Sequence, residues 1–362
     1  MKRWLGVGAL ILLLAAFAAF LLRDRIAMSL YQRGAARAMA VDSIETLPDG
    51  LHAAFCGTGS PLPDPNRAGP CLAIVAGKRL IIVDAGEGAA RNLGLMGLPA
   101  ARIDRVLLTH FHSDHIDGLG PLAMQRWVGA SATRPLILQG PVGVGELAAG
   151  FNAAYRQDST YRTAHHGAAL VPPAGFGYSP RAFALRNGRG VVLDEGGLKI
   201  TAFDVRHDPV HPAVGYRFDY KGRCITVSGD TAPSDAVVQM AKGCDLLVHE
   251  ALQPRLTRVL VNAADGAGNK GLAQLLRDIE DYHTTPEQAA EIAQKAGVKA
   301  LALTHIVPPL RLPGLEDAFL GDAPRRFDGK LWIANDRDLV SLPATGGMAQ
   351  STLSQSTPGG TR

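Results

Sequence analysis

The sequence predicts an α/β protein whose chemistry is delivered from the carboxyl ends of sheet strands. Three observations carry this. First, five strand-length apolar runs each stop on a residue of metal-ligand or acid–base type: 103–108 before His110, 198–205 before His207, 224–229 before Asp230, 245–248 before His249-Glu250, and 300–304 before His305. Second, a punctuated helix at 285–297 runs directly into the last of these strands. Third, a two-strand hairpin at 72–84 precedes the first. Open α/β sheets place sites at the carboxyl edge, so five runs ending alike imply one site built from all five.

Taken in order, the chain begins with 18 unbroken apolar residues, 5–22, preceded by Lys2 and Arg3. That is long for a signal-peptide core and at the lower limit for a membrane span. Ala38-Met39-Ala40 has the form of a cleavage site but lies too far downstream. Residues 1–40 therefore read as an N-terminal membrane anchor or signal segment, an uncleaved hydrophobic helix. The short basic start favours an exported, periplasmic catalytic part, while Arg23, Arg25, Arg33 and Arg37 pull the other way. The expectation is a membrane-anchored protein with its catalytic domain, 41–343, exported.

Charge is unevenly placed. The formal net charge is +4, of which residues 1–40 carry +5, leaving about −1 for the rest. A nearly neutral globular part argues against a polyanion as the main partner, because affinity for a phosphate backbone comes mostly from Lys and Arg. Nucleic acid is thus a partner that is not favoured, although a local basic patch would admit it. The apolar content of 47% is ample for a core. Four cysteines are too few for a disulfide scaffold of this size. Cys56 and Cys71 flank the turn between two strands, and Cys224 and Cys244 each open an apolar run. Either pair could bridge in an exported chain, but four small buried residues is the preferred reading.

The globular part starts near Leu51 with a strand at 52–56 and the tight loop Gly57-Thr58-Gly59-Ser60-Pro61. Residues 61–70 are too rich in Pro, Asp and Asn for regular structure. The hairpin strands 72–76 and 80–84 flank Gly77-Lys78. Asp84 ends an otherwise apolar strand, where a carboxylate is costly unless paired. Support of a metal-bound histidine and helix capping are both open for it.

The strand at 103–108 runs into Thr109-His110-Phe111-His112-Ser113-Asp114-His115. His110, His112, Asp114 and His115 fall within six residues, and three of the chain's 11 histidines lie there, which argues against a chance cluster. Imidazole with carboxylate suits zinc, and less selectively iron or manganese. In an extended loop, residues two apart point the same way. His110 and His112 can then hold one ion while Asp114 and His115, on the next bend, face a second.

Further on, 135–138 reads as a strand and 145–155 as a helix. The Gly- and Pro-containing stretch 168–197 reads as loose chain, and His165-His166 as a solvent-exposed pair. The glycine-rich segment 261–271 reads as a surface loop. Thr285 can cap the helix after it, Pro286 takes the first position, Gln288 completes a capping box and Gly297 stops it. Its buried stripe is Ala289, Ile292, Ala293 and Ala296. The tail, 344–362, has no core-forming content and reads as disordered.

The run His110-x-His112-x-Asp114-His115 resembles the signature of the metallo-β-lactamase fold superfamily. Gly57-Thr58-Gly59-Ser60-Pro61, Val83-Asp84-Ala85-Gly86, Ser228-Gly229-Asp230-Thr231, His249-Glu250-Ala251, His283-Thr284-Thr285 and Leu303-Thr304-His305 narrow the resemblance to the ribonuclease Z/arylsulfatase-like branch, over roughly residues 51–310. The resemblance implies a four-layer αββα sandwich with metals at one edge. It implies one zinc on His110, His112 and His207, a second on Asp114, His115 and His305, and Asp230 bridging both. His207 is preferred to His211, because it directly follows its strand. His283 is implied as a catalytic histidine that is not a ligand, supported by Glu250. Asp114 joins these two among the catalytic residues. Two zinc ions (Mn2+ or Fe2+ in their stead) about 3.5–4 Å apart would share an activated water, and His283 could protonate the leaving group.

One departure matters. Ribonuclease Z enzymes carry an extruded glycine- and lysine-rich arm that grips tRNA. Residues 168–197 have only Arg181, Arg186 and Arg189 as fixed cations, with no Lys before Lys199. Together with an outward-facing anchor, this favours a dinuclear hydrolase of small phosphodiester, sulfate or related esters, compatible with a homodimer. A tRNA 3′-processing endoribonuclease and a non-catalytic metal-binding scaffold or sensor are the alternatives.

Overall fold

Strands form where alternate side chains must serve two apolar layers at once. In the computed structural model, which describes residues 2–354 (without the side chains of 2–6, 9–11, 15 and 37), β1 (Gly50–Gly57) and β2 (Cys71–Ala76) are buried at every position. Strands covered on both faces require this. β3 (Arg79–Val83) follows across the Gly77-Lys78 turn, with β4 (Ile103–Leu107), β5 (Leu136–Gly140) and β6 (Tyr178–Ala182) added in parallel. A second sheet holds β7 (Arg189–Glu195), β8 (Leu198–Asp204), β9 (Val214–Tyr220), β10 (Arg223–Val227), β11 (Leu246–Leu252), β12 (Ala300–Val307) and β13 (Lys330–Ile333). β14 (Asp338–Pro343) and β15 (Ala349–Thr352) return to the first. The strand orders are β15-β14-β1-β2-β3-β4-β5-β6 and β13-β12-β11-β10-β9-β8-β7.

The helices are α1 (Lys2–Ala40), α2 (Ser43–Thr46), α3 (Ala89–Leu95), α4 (Ser113–Ile116), α5 (Leu119–Ala130), α6 (Val144–His166), α7 (Asp235–Ala241), α8 (Pro254–Gly266), α9 (Lys270–Asp278), α10 (Pro286–Ala296), α11 (Leu315–Leu320) and α12 (Ala323–Arg326). Neighbouring strand residues feed different layers. Ile81 and Val83 join Phe55, Tyr216, Phe218 and Val248 between the sheets. Ile82 instead meets Leu93, Leu119 and Leu122 under α3 and α5. On the far side Leu301 and Leu303 meet Val237, Ala289, Ile292 and Ala293 under α7 and α10. The result is helix, sheet, sheet, helix: the expected αββα sandwich.

Direction decides where the chemistry gathers. β10, β11 and β12 are mutually parallel. β8 is antiparallel to β9, which is antiparallel to β10, so β8 runs with them. In the first sheet β3 and β4 are parallel. Their carboxyl ends reach one edge.

Several expectations are corrected. Among the described residues no helix is long and apolar enough to cross a membrane. The membrane anchor, and with it the membrane-anchored and exported placement, is withdrawn; α1 continues helical past residue 22 through Arg23, Asp24, Arg25 and Arg33 to Ala40. Both cysteine pairs are bonded rather than free: Cys56–Cys71 and Cys224–Cys244, with Cα atoms 4.9 and 4.7 Å apart, inside disulfide reach. Cys71 pairs with Gly57 across the ladder, which brings it beside Cys56. The stretch 168–197 is not loose: β6 and β7 close the edges of the two sheets. The helix expected at 145–155 extends to His166. Residues 261–271 are not one loop, because α8 and α9 pack Val261 and Ala264 on Ala273 and Leu276. In the tail β15 pairs with β14, and 355–362 lie outside the described residues.

Candidate metal centre

β4 leads its chain to the sheet edge, where α4 turns it back. Asp114 and His115, expected on the bend after the loop, lie in the single turn of α4. That turn sits directly on the chain leaving β3. A Cβ at Gly86 would stand 2.3 Å from the Asp114 carbonyl oxygen, and one at Gly118 would stand 2.1 Å from that of Gly86. Only glycine permits this approach. Asp84 and His305 hold left-handed backbones, φ 57° and 49°. Such conformations cost on the order of 1–3 kcal/mol and concentrate at functional sites.

The expected ligands converge from both sheets. Ligand atoms of His110, His112, His207 and Asp230 lie within 4.8 Å of one another, as do those of Asp114, His115 and His305. Asp230 joins the groups, with Oδ2 3.9 Å from His110 Nε2, 3.3 Å from His115 Nε2 and 3.2 Å from His305 Nε2. His211 stays outside, exposed and bonded to Asp208. His249 also stays outside; its Nδ1 donates to the Glu250 carbonyl at 2.7 Å. His165 and His166 are exposed at the end of α6.

The surrounding hydrogen bonds fix which ring nitrogens face inward. Thr109 Oγ1 donates to Asp84 Oδ2 at 2.8 Å, so it accepts from His110 Nδ1 at 3.1 Å. His115 Nδ1 donates to the same carboxylate at 2.9 Å, and His207 Nδ1 donates to the Tyr282 carbonyl at 3.1 Å. Each of these rings then turns its Nε2 into the cluster, the orientation typical of metal-bound imidazole whose other nitrogen is held by a hydrogen bond. His110 Nε2 and His207 Nε2 lie 2.9 and 3.4 Å from His112 Nδ1. One N–H cannot serve both, and His115 Nε2 is buried with no hydrogen-bond partner. A nitrogen- and carboxylate-lined cluster of this kind fits a divalent cation.

Electrostatics divides the rings. Burial, then the neighbouring histidines, hold His110 well below the ordinary imidazole range, and burial also lowers His112 and His207. Burial opposes charge on His305, but Asp230 and Asp114 overcome it and push the ring up to about 9. His115 is raised well above the ordinary range by Asp230, Asp114 and Asp84 against the same opposition. Burial would raise Asp230, yet His305 and His115 hold it well below the usual carboxylate range.

His283 stands beside this cluster, its ring 5.4 Å from that of His207 and 5.5 Å from that of His305. Its Nδ1 is 3.2 Å from Glu250 Oε1, within ion-pair distance but not aligned as a hydrogen bond. That oxygen also accepts from the backbone N–H of Thr284 at 2.9 Å and of Thr231 at 3.3 Å. Sequence reasoning missed Thr109 and Tyr282 as supports. Both adjoin a ligand-type histidine, which is the signal that could have found them.

A cleft of about 530 Å³ adjoins Asp114, lined by residues 60–65, Arg67, Glu87, Asp117 and Arg311 among others. Its wall is held by Asp336, which accepts from Thr58 N and Oγ1 at 2.9 and 2.8 Å, from Ala68 N at 2.7 Å and from Asn92 Nδ2 at 2.7 Å. Arg67 donates to the Ala334 carbonyl at 2.5 Å.

Comparison with known proteins agrees with this architecture. Residues 79–306 match the family described as a beta-lactamase superfamily domain. The chain is 36% identical to a ribonuclease Z of Mycobacterium avium (strain 104) over 81% of its own length and 99% of the relative's. It shares the fold of the metallo-beta-lactamase fold protein YhfI from Bacillus subtilis, with TM-score 0.57 and 23% identity over 83% and 99% of the two chains. It shares it too with the short form of human tRNase Z, with TM-score 0.56 and 23% identity over 81% and 99%. The chain therefore belongs to the beta-lactamase superfamily, in its ribonuclease Z branch, and is a metal-dependent hydrolase acting on ester bonds.

Proposed function

We propose that this hydrolase is a ribonuclease Z-type endonuclease that cleaves a phosphodiester bond in precursor tRNA with two zinc ions. The observation that carries the reading is the 36% identity to a named ribonuclease Z across 99% of that protein. This likeness displaces the small phosphodiester and sulfate esters that the sequence alone favours, and the membrane-anchor argument for them is gone.

His110, His112 and His207 would hold one ion, Asp114, His115 and His305 the other, with Asp230 between them. Bound there, the ions supply Lewis acidity and lower the pKa of a water toward neutrality. Nitrogen and carboxylate donors suit zinc, with Mn2+ and Fe2+ as the less selective options. Asp84 holds His115 through Nδ1, and Thr109 relays the same carboxylate to His110. His283 delivers a proton to the leaving oxygen, and Glu250 orients it while two backbone N–H groups orient Glu250. Asp114 faces both the cluster and the cleft, which supports its reading as a catalytic residue that meets the substrate.

The test is a side-by-side assay of the full-length, metal-loaded protein on precursor tRNA, an aryl phosphodiester and an aryl sulfate. Specific endonucleolytic cleavage of the precursor, with a higher kcat/KM than either small ester, is expected. Preference for the aryl sulfate, or no cleavage of the precursor, would refute the reading.

A further inference from the structure

We infer that a groove carrying Arg186, Arg189 and Arg206 binds the phosphodiester backbone of the RNA away from the scissile bond. The inference rests on the ribonuclease reading above and names the surface by which the chain grips its substrate.

The groove, about 720 Å³, lies on the second sheet's side of the metal cluster. Arg206 immediately precedes His207, and its backbone is bonded to the loop after Asp230: its N–H donates to Thr231 Oγ1 at 3.2 Å and its carbonyl accepts from Ala232 N at 2.7 Å. Arg186 and Arg189 face each other across a two-residue hairpin turn, paired through N–H to carbonyl bonds of 3.0 and 3.3 Å. The turn residues Asn187 and Gly188 both have positive φ, 51° and 74°. Asn-Gly is the preferred sequence for such a turn, so the two cations are presented on a stiff tip. That tip is tied to the end of β8 by Asp204 N donating to the Gly188 carbonyl at 2.8 Å.

The charge balance points to an anionic polymer. Among the described residues, none of these three guanidinium groups is ion-paired, although Asp204 and Asp208 also line the groove and His211 bonds Asp208. The cleft on the other side of the cluster is the reverse. There Asp64, Glu87, Asp114 and Asp117 outnumber the two cations Arg67 and Arg311, which donate to protein carbonyls. A long phosphate backbone is repelled from the acidic cleft and drawn over the arginine groove, so the bulk of the RNA lies on the groove side. These cations do in place what an extruded lysine-rich arm would do at a distance.

The test measures binding of fluorescently labelled precursor tRNA by anisotropy against salt, with the metal-loaded full chain, the Arg186→Ala/Arg189→Ala variant and the Arg186→Lys/Arg189→Lys variant. For the alanine pair, Kd should rise about tenfold near physiological salt, and the slope of log affinity against log salt should shrink by about 2. The lysine pair should keep the slope. The ratio of kcat/KM on precursor tRNA to that on an aryl phosphodiester should fall about tenfold for the alanine pair. An unchanged slope and Kd would overturn the inference, as would equal loss on both substrates. If the wild type binds the RNA with this arginine dependence but does not cut it, the groove stands and the ribonuclease reading falls. If it cuts the RNA and the alanine pair binds like the wild type, the reverse holds.

Discussion

The two sheets build their halves of the cluster in different ways. The first sheet contributes a contiguous loop: His110, His112, Asp114 and His115 follow one strand and are pressed onto its neighbour by Gly86 and Gly118. The second contributes single residues, His207, Asp230 and His305, from three strands far apart in sequence. The first half is held by local backbone contacts and one carboxylate, Asp84. The second is brought together because β8, β10 and β12 run the same way, with His207 oriented by the Tyr282 carbonyl. A compact motif thus specifies half a site, and sheet topology supplies the rest.

Perturbing one half at a time tests this division. The largest effect is expected from Asp230→Ala, whose carboxylate meets both groups. Both metals should be lost by elemental analysis, and activity should fall to background. Retention of one tightly held ion would show the halves to be independent.

His283→Ala, on the second sheet's side, should keep both metals and lower turnover about 10²-fold or more on substrates with poor leaving groups. The loss should be much smaller for an activated aryl ester. Equal losses on both would remove it from proton delivery.

Asp84→Asn should weaken metal affinity about 10–100-fold. The effect should centre on the group containing His115, measured by competition with a chelator.

The smallest effect is in the pH dependence of metal uptake. In the metal-free protein His305 titrates at about 9 and His115 is also raised. Below that pH an incoming cation must displace their protons. Affinity of this group should therefore climb with pH through about 9. His110, His112 and His207 are already neutral near pH 7, since burial lowers them, so their group should be nearly flat. Calorimetric proton release in two buffers would separate the two.

The same contrast explains what was legible in the sequence. The hexad could be read because its ligands are contiguous, and the helix α10 because Thr285, Pro286, Gln288 and Gly297 mark both its ends. His207, Asp230 and His305 could be read because each follows an apolar run. β6 and β7 could not, since both are sheet-edge strands with mostly exposed or half-buried residues and no sustained apolar pattern. α8 and α9 were hidden by Gly266, Gly268 and Gly271, which fall at or near the helix ends rather than in a loop. Asp84 was open as a support because a carboxylate ends an apolar strand there, whereas Thr109 and Tyr282 act through hydrogen bonds signalled only by their place beside a histidine. The anchor is set aside for a different reason: among the described residues no helix is long and apolar enough to cross a membrane.

Asp336 has a consequence for biosynthesis. It fastens Thr58, Ala68 and Asn92 from a position nearly 280 residues after the first of them. A nascent chain emerging from the ribosome carries the hexad early, yet the cleft wall stays unpinned until residue 336 has been made. The fold is thus completed by one of its last segments, and partial products of translation lack the pinned wall beside Asp114.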